Sequence, residues 1–314
     1  MTLLSIVIAL FLEQARSLPV ERVVHEPVAR LAAFLEGRFN DGIRLHGAIA
    51  WGIGAALPAG LLLILQAVLQ RVQPLLALIL AVGVLYLTMG FRQFSHFFTD
   101  IHLALRAGEI ERARQLLADW RHRSNDKLTS SETARLAIED ALLLSHRYVF
   151  APLFWFVLLG PAGAVLYRLT HLLNEFWNKP MPAGLVMADE FGQFARQAFA
   201  ALDWLPVRIT AAAFAAVGDF EDAVDCWRNQ ASRWPDSGSG ILLASGAGAL
   251  GVKLGMPVHG AVQGMDEAGE RPELGLGDEA DPDFMQSTVG LVWRSLVLGL
   301  AVLTLIWVSG WVGG

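Results

Sequence analysis

The stretch Tyr148 to Arg168, YVFAPLFWFVLLGPAGAVLYR, meets no charge before its last residue. As a helix it has about the length needed to cross a hydrocarbon core of roughly 30 Å. Aromatic residues crowd its first half (Tyr148, Phe150, Phe154, Trp155, Phe156), and Gly160, Pro161 and Gly163 loosen its second. A Gly-Pro pair inside a membrane helix frees backbone groups that lipid cannot satisfy, so neighbouring protein must supply partners. The segment is therefore expected inside a helical bundle.

Composition agrees. The chain is 54% hydrophobic and 17% charged, against about 25% charged in soluble domains. Ten tryptophans stand against three tyrosines, and Trp favours membrane interfaces. A net charge of −6 offers no basic surface for nucleic acid. The single Cys226 excludes an internal disulfide and an all-cysteine metal site. Met1 to Leu12 is apolar but lacks a basic leader and a small-residue cleavage site, and reads as a short membrane-associated helix.

The expected fold is all-α: a polytopic transmembrane bundle with cytoplasmic helical loops. Residues 1–46 hold the N-terminal apolar helix and an amphipathic segment carrying Arg16, Arg22, Arg30, Arg38 and Arg44. Residues 47–90 form a transmembrane hairpin, with crossings at 47–69 and 74–90. Residues 91–147 form a helical region in which Ser130 or Ser131 caps the second helix. Its nine Lys and Arg residues, Arg92 to Arg147, place it in the cytoplasm by the positive-inside rule. Residues 148–218 supply two crossings, 148–168 and 199–217, joined by a short external loop that includes NKPMPAGL. Residues 219–288 return to the cytoplasm. They comprise an amphipathic helix with Phe220, Val224 and Trp227 on one face, a glycine-rich segment, and an acidic tail too poor in large apolar residues to bury a core. Residues 289–314 hold the last span, 289–311. An N-terminal crossing would make six. The localisation that follows is a multi-pass protein of the bacterial inner membrane, its partner the lipid bilayer.

Several groups look chemical. Asp203 and Arg208 lie within one apolar helix around Pro206; they face a polar cavity or snorkel to the interface. Gly246, Gly248 and Gly251 match a dinucleotide fingerprint with Asp266 as the ribose acid, but no βαβ pattern surrounds them. A glycine-rich approach to phosphate or a closely packed small-residue helix accounts for them better. His96, Asp100 and His102 have partial metal-like spacing, but read as polar residues at a helix end; no metal site is expected. Glu139 and His146 share a helix face, where they hold a substrate ammonium or magnesium, or are simply solvated.

The run IEDALLLSHRYVFAPLFWFVLLGPAGAVLYRLTHLLNEF resembles the centre of the CobD/CbiB family of cobalamin-biosynthesis membrane proteins, with its APLFW and G-x-PGA-x-x-Y pieces. RAGEIERARQLLADWRHRSND, FGQFARQAFAALDWLPVRITA and ASGAGALGVKLGMPVHG are similar to further family segments in the same order, the last to a pattern AMAGALGVRLGGP. The resemblance implies ATP-dependent joining of aminopropanol, or its phosphate, to adenosylcobyric acid, with Mg-ATP as cofactor and a corrinoid bound at the cytoplasmic face. Glu139, Pro152, Tyr167, Arg196, Pro206, Arg208, Gly248 and Gly251 are retained. The chain departs from the family at several acids: Asp126 is shifted, Asn174 stands where an acid would, and in Arg196-Gln197-Ala198-Phe199 both acids of the family's AR-x-DD pair are gone. A carboxylate-poor site holds magnesium weakly.

FAPLFW and DWLPVR also resemble AmpE, a membrane protein associated with β-lactamase induction, which implies a non-catalytic sensor or regulator. On the enzyme reading the resemblance gives an amide-forming ligase with Glu139 and Asp203 as catalytic acids. Arg196, Arg208, His146, Tyr167, Gly246, Gly248 and Gly251 would bind substrate, converging near the cytoplasmic membrane face.

Overall fold

The computed structural model describes residues 2–15, 21–121, 127–178, 190–259 and 271–312. Arg16, Asp126, Asp266 and all of NKPMPAGL beyond Asn178 lie outside them. The described chain is almost entirely helical. Fourteen α-helices follow in order: α1 (Thr2–Ala15), α2 (Glu26–Phe39), α3 (Arg44–Trp51), α4 (Leu57–Val72), α5 (Pro74–Thr88), α6 (Phe91–Arg106), α7 (Ile110–Arg121), α8 (Ser130–Ser145), α9 (Ala151–Leu159), α10 (Pro161–Trp177), α11 (Gln193–Val217), α12 (Phe220–Gln230), α13 (Ser237–Leu250) and α14 (Pro282–Val312).

Four runs are long and apolar enough to cross a membrane: Arg44–Val72, Ser130–Leu159, Gln193–Val217 and Pro282–Ser309. Two of them each run through more than one α-helix, because π-helical turns at Gly52–Ala56 and His146–Phe150 join α3 to α4 and α8 to α9. Large apolar side chains stand exposed along them, among them Leu61, Ile64, Val68, Leu305 and Ile306. A monomer in water does not show such a surface; a lipid-facing one does.

Tyr148 to Arg168 is not one helix. At Gly160 the backbone takes φ 66°, ψ −153°, a region that only glycine populates readily, and Pro161 starts a new helix at the position where a missing N–H costs nothing. The candidate span instead runs from Ser130 to Leu159, so the last stretch of the expected 91–147 region, about five turns from Ser130 to Arg147, belongs to it. Similarly, the expected crossing 74–90 is a helix of 15 residues, about 22 Å long and short of the hydrocarbon thickness. Helices α4 and α5 pack together on either side of Gln73.

The chain divides into two compact units. One comprises Met1–Gln93 and Tyr148–Pro206, the other Phe94–Arg147 and Val207–Gly314. Two of the boundaries fall at helix irregularities, the π-turn at Arg147/Tyr148 and Pro206 within α11.

The first unit is built around α10, whose Tyr167, Arg168, Thr170, Leu172 and Leu173 are buried. It packs against α2, α4, α5 and α9. Trp177 Nε1 donates to Ala32 O at 3.1 Å and Trp51 Nε1 to Thr170 Oγ1 at 3.0 Å, so each indole is satisfied as a buried Trp requires. The α9–α10 turn is tight because Gly163 has no side chain: a Cβ there would lie 2.3 Å from Trp155 O.

The second unit carries the hairpin of α12 and α13. Its small-residue contact follows the close-packing expectation, since a Cβ on Gly248 would meet Asp222 O at 2.4 Å. The face of α12 turned inward is Ala223 and Cys226, not Phe220, which is 63% exposed. Small residues win that face because glycines bring the partner backbone too close for an aromatic ring. Part of the acidic tail is also ordered, against expectation. Leu274 is fully buried, Leu254 and Leu274 bridge antiparallel, and Val252–Lys253 pairs parallel with Asp278–Glu279. One apolar anchor and backbone pairing suffice where composition alone indicated none.

Candidate functional site

The second unit buries a cluster of charges on one face of α8. The spacing is Glu132, Arg135 and Glu139, three and seven residues apart, which a 3.6-residue period stacks on one side. Helix α8 is capped by Thr129 rather than by Ser130 or Ser131. Glu132 N donates to Thr129 Oγ1 at 3.2 Å and Thr129 N donates to Glu132 Oε2 at 2.7 Å, a reciprocal capping box. The other oxygen, Glu132 Oε1, accepts from His259 N at 2.8 Å and lies 2.6 Å from His259 Nδ1.

Two turns along, Glu139 is 3% exposed. Its Oε1 accepts from Gly255 N at 2.8 Å, and its Oε2 from Arg271 Nη2 at 2.5 Å. Arg271 also donates through Nε to Met256 O at 3.2 Å and stacks over Trp234, 5.4 Å from the ring centroid. From the helix side, Arg135 Nη2 donates to Pro257 O at 3.3 Å. Two arginines and one carboxylate thus hold three successive residues, Gly255, Met256 and Pro257. The loop is strained: Gly255 has φ 76° and a Cβ on it would fall 2.0 Å from Pro272 O, while Met256 is the one non-glycine described residue at positive φ, 64°. Strain of that kind persists where surrounding contacts over-determine the backbone, and such places are often functional. Buried ionisable groups on a membrane-length helix point the same way.

The remaining expected residues fall as follows. His146 is fully buried, its Nδ1 2.9 Å from Thr210 Oγ1. It lies two turns, roughly 10 Å, along the helix from Glu139, so the shared face does not make them one site. Arg208 is half-buried on α11. Gly246 faces Leu142, whose Cδ1 would be 2.7 Å from an added Cβ, and Gly248 faces α12 as described. Both glycines are therefore covered by protein. Gly251 caps α13 in the left-handed conformation, φ 67°. These residues belong to the second unit, whereas Asp203, Tyr167 and Arg196 belong to the first. There the Tyr167 hydroxyl donates to Asp203 Oδ1 at 2.8 Å, both residues buried, and exposed Arg196 donates to Asn178 Oδ1 at 3.0 Å.

Glu132, Arg135, His259 and Arg271 went unmarked in the sequence. The first two carried a usable signal in their spacing with Glu139. Arg271 carried none, being one basic residue in an acidic, glycine-rich tail.

The residues of this cluster do not fit a magnesium ion. Both oxygens of Glu132 and both of Glu139 already accept hydrogen bonds, and among the described residues no three of His, Cys, Asp or Glu stand close enough to hold a metal. His102 illustrates the point. Its neighbours are Arg106 and Asp283, which pair with each other, and burial pushes the imidazole below its ordinary range, with Arg106 adding to the effect and Asp283 opposing it.

Fold and site together define a multi-pass helical membrane protein with a buried arginine–glutamate cluster clamping a strained loop. The family model of the CobD/Cbib protein matches residues 6–292, and the chain belongs to that family of cobalamin-biosynthesis proteins. The cobalamin biosynthesis protein CobD of Stutzerimonas stutzeri is 34% identical over 314 residues, covering 98% of each chain. That of Chromobacterium violaceum is 35% identical over 236 residues, 73% of each. The cobalamin biosynthesis protein CbiB of Salmonella typhimurium is 24% identical over 289 residues, 88% of each. No solved structure matches significantly. Nothing in these matches bears on the resemblance to AmpE.

Proposed function

We propose that this protein attaches the aminopropanol arm to adenosylcobyric acid in the bacterial inner membrane, with residues 91–129 and the loop held by α8 on the cytoplasmic side. The observation that carries the reading is the Glu139 cluster: a buried carboxylate retained from the family pattern, paired with Arg271 and bonded to Gly255 N, with Arg135 holding Pro257 O of the same family-like segment ALGVKLGMP. Arginine is suited to this because its fork binds a carboxylate or phosphate through two parallel N–H bonds and never loses its charge. In this reading an anionic group of the substrate exchanges for Glu139 on Arg271, and the freed carboxylate takes up the amine. Activation of the substrate carboxylate is not assigned to these residues, which supply no magnesium site.

The test is complementation of a bacterium lacking its own CbiB, grown where survival requires corrinoid made from cobyric acid. Growth is expected, with the protein confirmed in membranes by blot. Absence of growth with the protein present would overturn the reading.

A further inference from the structure

The first unit buries a charge that no described residue neutralises. Arg168 on α10 is 1% exposed, and none of Nε, Nη1 or Nη2 has a hydrogen-bond partner among the described residues. Its contact is with an aromatic ring: the guanidinium carbon lies 4.0 Å from the centroid of Tyr148. That ring is itself fixed. It rests on Gly90, where an added Cβ would come within 2.7 Å of Tyr148 Cδ1, and His171, one turn beyond Arg168, packs edge-on against it at 6.4 Å.

A buried lysine or histidine in this position would shed its proton; arginine does not. Stacking on the ring answers the face of the guanidinium. Its N–H groups remain without acceptors among the described residues, an arrangement that proteins rarely tolerate. The missing partner must be negative, and planar or tetrahedral oxygens suit the fork. We propose that Arg168, packed over Tyr148, is the anchor of an anion site for a phosphate or carboxylate group. The site is separate from the Glu139 cluster, which lies in the other compact unit, and it does not depend on the corrinoid reading.

The experiment uses the full chain purified in detergent, with thermal unfolding followed by tryptophan fluorescence. Sodium phosphate is compared with sodium chloride at equal ionic strength, and added phosphatidylglycerol with phosphatidylcholine. Phosphate is expected to raise the midpoint of the wild-type chain by several degrees and to leave Arg168→Met unmoved. In chloride alone, Arg168→Met should unfold at or above the wild-type temperature, since it removes an unmatched buried charge. Stabilisation by phosphatidylglycerol without any by phosphate would assign the same site to a lipid headgroup. A wild-type chain indifferent to both anions would overturn the proposal, as would an Arg168→Met chain that responds like wild type. Should Arg168→Met fail to fold, Arg168→Lys carries the test: it keeps the charge but loses the fork, and should need about tenfold more phosphate for the same shift.

Discussion

Arg271 reaches back across 132 positions of sequence to donate to Glu139 at 2.5 Å, both side chains less than a tenth exposed. Removing one member of a buried pair leaves the other without compensation, at about 3–5 kcal/mol. Glu139→Leu and Arg271→Met should each destabilise the protein by that order. The double variant should recover most of the loss, because no lone charge remains. Thermal unfolding of the four proteins in detergent closes the cycle; additive losses would show that the pair is not coupled.

Met256 occupies a left-handed backbone conformation, φ 64°, where the family-like pattern has glycine. A side chain there costs about 1–2 kcal/mol. Met256→Gly should therefore stabilise the chain by about 1 kcal/mol after allowing for lost side-chain contact. A lower midpoint would mean that the methionine's packing outweighs the strain.

Gly163 has no room for a methyl group, with Trp155 O 2.3 Å from the position of a Cβ. Gly163→Ala must push α9 and α10 apart, and overpacking of this kind costs about 1–3 kcal/mol. Gly299, which has nothing within 4 Å, is the control, and Gly299→Ala should be tolerated.

His102 offers a pH test. Burial first, and Arg106 second, hold its imidazole pKa below the ordinary 6.5. The unfolded chain then takes up a proton at a higher pH than the folded one. Stability due to this residue is present above pH 6.5 and is lost as pH falls from there through the lower folded value. His102→Gln should flatten that part of the stability profile; an unchanged acid slope would assign it to other groups.

Cys226 is fully buried, and burial, aided by Asp225 and Asp222, raises its thiol to about 11. At pH 8 the thiolate population is small and shielded, so maleimide should label the folded protein only after denaturation. Rapid labelling of the native chain would place Cys226 at an accessible surface.

The sequence was most legible where lipid imposes the rule. Apolar length pointed to spans at 47–69, 199–217 and 289–311, where the structure has apolar helices at Arg44–Val72, Gln193–Val217 and Pro282–Ser309, and Gly160-Pro161 announced a local break. What it did not show was that the break ends the helix, so that the span extends backwards through Glu139. A charged face two turns long resembles a soluble helix when read alone; its burial depends on Arg271 and Gly255, which arrive from more than a hundred residues away. The same holds for Arg168. Its position at the end of an apolar run suggested a boundary, and only packing on Tyr148 reveals that it is interior.

The helix from Ser130 to Leu159 has 30 residues, about 45 Å at 1.5 Å per residue, half as long again as the hydrocarbon core it can cross. From Leu159 back to Glu139 is about 30 Å on the same rise, one bilayer's depth. A helix of that length has about ten residues more than the hydrocarbon can cover, so the charged positions in its first turns need not lie in lipid.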